Sequence, residues 1–192
     1  MPATTARTRS VSTSVAGSAS ATSSCIAAPA PTRWRSNSCS KACCPRRPPS
    51  PESDADLARN AEATRRLATL VARLDASDLE RSLGGGWTVG FALAHVAFWE
   101  ARQEVALRAW LDGAEFPDED PSVNPTLEAM APTLDPAATA AAVEQLSARV
   151  DATIAGLSAE QRAALVDAGF GYVVARWAHR EDHIAQIEAV LD

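Results

Sequence analysis

The stretch DPAATAAAVEQLSARVDATIAGL, residues 135–157, reads as one long α-helix. Asp135 has a side chain suited to capping a helix start. Pro136 fixes the backbone for the first helical position and lacks an N–H that would go unused there. Val143, Leu146, Val150, Ile154 and Leu157 then recur at three- and four-residue steps, drawing an apolar stripe along one face. The alanines between them are the best helix formers.

The same reading extends outward. Upstream, Leu57, Ala61, Leu67, Val71 and Leu74 form a second stripe, with Thr64 its single polar member and Leu70 widening it. A turn-rich stretch ending in Gly84, Gly85 and Gly86 closes that segment, and Thr88 is the N-cap of another helix running to about Asp112. Pro117, Pro121, Pro125 and Pro132 predict a long connection with little regular structure. Downstream, Ser158 and Gln161 form a capping box for a short helix. Gly169-Phe170-Gly171 breaks the chain before a last helix from about Tyr172 to Leu191. Four long helices with an extended middle connection predict an all-α fold, a four-helix bundle.

Composition agrees. Aromatic residues are 5% of the 192, and β-branched residues are too scattered to build several strands. The length suits one domain with a real core, placed at residues 53–192. Residues 1–52, rich in Ser, Pro and Arg, have no apolar periodicity and are expected to be disordered. A targeting segment and a miscalled upstream start are the other readings of this stretch. Residues 1–51 hold seven of the 18 Lys and Arg and none of the 24 Asp and Glu. The remaining 141 residues therefore carry 11 basic and 24 acidic side chains, a net charge of −13. So acidic a domain argues against non-specific nucleic-acid binding. No apolar run approaches the length of a membrane span. Cys25, Cys39, Cys43 and Cys44 all precede the domain, which excludes a thiolate metal site within it and fits a reducing cytoplasm.

Three histidines carry the chemistry. His179 and His183 are four residues apart in a helical segment, so both imidazoles leave one face about 6 Å apart along the axis and can share a metal ion. Spacing supports only this pair, and a surface or hydrogen-bonded core pair is the alternative. His95, the one other histidine, lies among Leu93, Ala94, Val96, Ala97 and Phe98, where an unpaired imidazole would be costly.

The segment Trp177 to Ile187 and the segment WTVGFALAH, residues 87–95, together resemble the DinB-like superfamily. That group includes YfiT-like metal hydrolases, bacillithiol transferases and mycothiol-dependent maleylpyruvate isomerases. Its pattern is Trp-Thr then Leu-x-His on the second helix, and His-x-x-x-His with a nearby Gln-Ile on the last. The resemblance covers roughly residues 54–192. It implies a four-helix bundle with a three-histidine site, His95, His179 and His183, for zinc or nickel. It also implies a low-molecular-weight thiol, mycothiol among them, as cosubstrate.

Other residues surround these positions. Gln186 shares the face of His179 and is either a hydrogen-bond partner of the site or a solvated glutamine. Asp182 is the nearer candidate for acid–base work, while Glu181 points some 160° from His183 and fits a solvated face. Trp99 either walls the pocket or packs in the core; Trp87 reads as a packing anchor at its helix start. Arg102 and Arg176 either meet an anionic substrate or are surface arginines. The leading expectation is a cytoplasmic, metal-dependent S-transferase or isomerase acting on a small electrophile, alone or as a homodimer, with neither nucleic acid nor membrane as partner. A metal-dependent hydrolase and a non-catalytic stress-associated metal-binding protein are the alternatives.

Overall fold

The computed structural model describes residues 51–191, with side chains from Asp54 onward. The expectations for the first 50 residues, and the four cysteines, lie outside it. The described chain is mostly helical. Its long helices are α1 (Pro51–Val71), α3 (Val89–Leu111), α5 (Pro136–Gly156) and α8 (Arg176–Leu191). They pack in a ring, α3 against α5, α5 against α1, α1 against α8 and α8 against α3. Short helices α2 (Ala76–Leu79), α4 (Val123–Met130), α6 (Ala159–Asp167) and α7 (Gly171–Val174) lie between them.

The caps are where the residues place them. Thr88 accepts from the Phe91 amide at 3.2 Å and starts α3. Asp135 accepts from the amides of Ala137 and Ala138 ahead of Pro136. Ser158 and Gln161 form the reciprocal box that starts α6. A small hairpin of β1 (Ser82–Gly84) and β2 (Trp87–Thr88) precedes α3, turning through Gly84, Gly85 and Gly86. All three glycines have positive φ, which side chains with a Cβ resist. Gly90 serves a different need, because a Cβ there would meet Pro136 Cβ at 2.7 Å and the Leu79 carbonyl at 3.1 Å. The start of α3 can approach α5 that closely only without a side chain.

Three expectations change. The 117–132 connection contains α4, followed by a 3₁₀ turn at Ala131–Thr133. Pro125 falls in the first turn of α4, where its missing N–H costs nothing, and Leu127 packs inward against Phe91 and Ala94. The buried face of α1 runs through Asn60, Ala63, Leu67 and Leu70, leaving Ala61 exposed. The last helix is interrupted at Ala175, with φ −95° and ψ 60° between α7 and α8. Asn60 explains both of the latter. Its amide donates to the Val174 carbonyl at 2.8 Å and its oxygen accepts from the Trp177 amide at 2.8 Å. Those are backbone groups that a helical break strands, and a buried asparagine on α1 satisfies them.

One apolar cluster joins Leu67, Leu70, Leu93, Val96, Val143, Ile184 and Ile187 from all four long helices. A second gathers Leu107, Val150, Ile154, Leu165 and Val173. No helix among the described residues is long and apolar enough to cross a membrane.

Candidate metal centre

The second turn of α3 carries His95, and α8 carries His179 and His183 one turn apart. Packing of α8 against α3 brings the three rings into a nearly equilateral triangle, with centroids 5.2, 5.0 and 4.9 Å apart. One nitrogen from each ring lies within 4.8 Å of the others. His95 Nε2 faces His179 Nε2 at 3.2 Å. Two imidazole nitrogens on a tetrahedral ion at 2.0–2.1 Å stand about 3.3 Å apart, so this pair already spans an edge of such a site. His95 Nδ1 is buried with no hydrogen-bond partner. The donor set and spacing fit a borderline divalent cation.

Burial keeps the rings neutral. It pushes His95 down to about 4, helped by the charges of His183 and Arg176. Burial, then the Arg176 guanidinium, takes His179 down to about 2. His183 is also lowered by burial, against the opposing hydrogen bond it donates to Gln186. Neutral imidazole is the form that binds metal, so the site needs no proton removed from an imidazolium at neutral pH.

The flanking residues divide into walls and supports. Trp87 lies parallel to the His183 ring, 6° between planes at 6.1 Å, and 5.0 Å from His95, while also packing in the core. Trp99 stands 6.2 Å from His95. Both indoles are tied to α4: Trp87 donates to Glu128 and Trp99 to Asn124, each at 3.1 Å. Sequence reading missed these two polar residues because it left their segment irregular. The spacing of Val123, Leu127 and Met130, with proline in the first turn, was the available signal.

Gln186, although exposed, is hydrogen-bonded to the site, its Oε1 3.1 Å from His183 Nδ1. Asp182 is exposed and acts on His183 through its charge. Glu181 turns away to pair with Arg66. Arg102 lies over the Trp99 ring at 5.1 Å and donates to the Asp118 carbonyl, leaving Nη1 unpartnered. Arg176 is no surface residue. It is 3% exposed, and its Nη2 stands 3.0 Å from both Glu100 Oε1 and His179 Nδ1.

Behind the histidines runs an ionic network that the sequence did not announce. Glu100, fully buried, accepts from Arg176 through one oxygen and from Arg180 through the other at 2.7 Å. Arg180, also fully buried, meets Asp151 with both Nη atoms at 2.9 and 3.0 Å, and donates further to Thr64 and the Asn60 carbonyl. Asn60, Glu100, Asp151 and Arg180 thus connect α1, α3, α5 and α8 beneath the site.

No curated protein and no solved structure matches this chain. A family model described as the DinB superfamily matches residues 59–187, about two thirds of the chain, and its span includes all three histidines. Together with the helical fold and the sequence pattern around His95, His179 and His183, that match shows that the chain belongs to the DinB superfamily.

Proposed function

We propose that this protein is a metal-dependent enzyme that transfers the sulfur of a low-molecular-weight thiol to a small electrophilic substrate. One observation carries the metal reading: three neutral imidazoles from two helices present nitrogens within 4.8 Å of one another. Among the described residues no cysteine or carboxylate joins that cluster. Three protein ligands leave a coordination position for an exogenous group, which favours catalysis over a closed structural site. His95, His179 and His183 would hold the ion, zinc or nickel. When bound, it would act as a Lewis acid that favours the deprotonated form of a thiol or water.

The chain's own residues would do the rest. Gln186 fixes the ring of His183, and Trp87 and Trp99 shield the triad on its flanks. Asp182, exposed beside His183, would take the thiol proton and release it to solvent. Arg102, with a free Nη1, would meet an acidic group on the substrate. The new sulfur–carbon bond forms as the leaving group departs with its electron pair, or as an adjacent double bond takes that pair up. Mycothiol or a related thiol fits the family and a cytoplasmic setting.

The test is metal content by elemental analysis, followed by turnover of an activated aryl halide with and without thiol. Zinc or nickel near one equivalent, lost in His183→Ala, and turnover that requires both metal and thiol are expected. Absence of metal uptake overturns the reading. Thiol-independent cleavage of an activated ester would instead assign a metal-dependent hydrolase.

A further inference from the structure

The two histidines of α8 receive opposite instructions from their neighbours. Gln186 presents its carbonyl oxygen to Nδ1 of His183. That nitrogen therefore carries the proton and Nε2 keeps its lone pair, the arrangement expected of a metal-binding histidine. His179 has an arginine in the equivalent place. A guanidinium has five N–H donors and no acceptor, so Arg176 Nη2, 3.0 Å from His179 Nδ1, can only donate to it. The lone pair of a neutral His179 then lies on Nδ1 and its proton on Nε2. That proton points at His95 Nε2, 3.2 Å away, which accepts it. His95 in turn carries its own proton on Nδ1, the atom left without a partner. One consistent proton arrangement accounts for all three rings.

We infer that Arg176 is a positioning residue that sets the tautomer of His179, and that it must release Nδ1 before His179 can bind a metal through Nε2. The inference rests on the reading of the histidines as a metal centre. The arginine is not free to drift. Its Nη2 hydrogens are divided between His179 and Glu100, its Nη1 reaches the Tyr172 carbonyl at 3.4 Å, and Glu100 is fully buried. Metal entry thus breaks a charge-assisted hydrogen bond and brings a dication toward a fixed guanidinium. His183 is the preset ligand, whereas His179 joins only when the Arg176 contact yields. Metal occupancy is thereby coupled to the Arg176–Glu100 ion pair and to the network behind it.

The experiment uses the full chain labelled with ¹⁵N-histidine, first stripped with a chelator and then titrated with zinc. Long-range ¹H–¹⁵N spectra at neutral pH are expected to show His179 protonated on Nε2 and His183 on Nδ1. In Arg176→Gln, whose amide oxygen can accept from Nδ1–H, His179 should change to the His183 pattern. Zinc affinity, measured against a chromophoric competitor, should rise about tenfold or more in Arg176→Gln and in Arg176→Met. A wild-type His179 protonated on Nδ1, or variants that bind zinc no more tightly than wild type, would overturn the inference. The wild-type spectrum needs no variant to fold. It also judges Arg176 separately from the metal reading, which fails only if wild-type protein takes up neither zinc nor nickel.

Discussion

His95 illustrates how much one buried side chain can dictate. Only 6% exposed and held down to about 4, it titrates in the folded protein well below its value in the unfolded chain. A depressed histidine contributes stability that is present above the unfolded value near 6.5 and is lost as pH falls through the folded one. Urea unfolding of metal-stripped protein should therefore weaken between pH 6.5 and 4, with about 3 kcal/mol of the loss due to His95. His95→Gln should remove that share of the slope, which comparison of the two pH profiles would show. At the same scale, Arg176 carries a lesson about spacing. Three residues before His179 it reads as a surface cation or a substrate contact, and nothing local reveals the carboxylate of Glu100 waiting on another helix.

At the scale of elements, the junctions between helices are more informative than the helices. Gly90 lets α3 start against Pro136, where an added methyl group would sit 2.7 Å from the proline Cβ. Gly90→Ala should cost about 1–3 kcal/mol by overpacking, read as a lower urea midpoint with unchanged slope. Asn60 spans the break at Ala175 with two 2.8 Å hydrogen bonds. Removing it strands a buried carbonyl and a half-buried amide, so Asn60→Ala should destabilise by about 2 kcal/mol or more. Because that break sets where α8 begins, its loss should also weaken zinc binding, which isothermal titration would detect. The capping signals at Thr88, Asp135 and Ser158 were legible because a cap is a contact within one turn. The break at Ala175 was not, since its cause lies more than a hundred residues away in sequence.

For the molecule as a whole, the ionic network and the three-histidine cluster share one interior. Glu100 and Arg180 are fully buried and joined at 2.7 Å, and Arg180 also grips Asp151. Truncating one partner leaves an uncompensated buried charge, so Arg180→Met should cost about 3–5 kcal/mol. Replacing Arg176, Arg180, Glu100 and Asp151 together by apolar residues, which leaves no member of the network unpaired, should cost less than that single change, as chemical denaturation of both variants would reveal. A ligand bound by α3 and α8 only in the folded state stabilises it by mass action. Zinc at 100 times its dissociation constant should add about 2.7 kcal/mol, seen as a higher melting temperature that a chelator reverses.

The sequence by itself determined the helical class, the caps, and the pairing of His179 with His183, since each depends on residues a few positions apart on one helix. Its likeness to the superfamily supplied His95. Tertiary structure alone decided that His95 meets the pair, that α4 anchors both tryptophans, and that Asn60 is a core residue. It also decided that Arg176 is buried against Glu100 of α3. The physical reason is common to all four. A polar side chain is drawn into the interior only by a partner that satisfies it there, and these partners come from other helices, which local periodicity does not register.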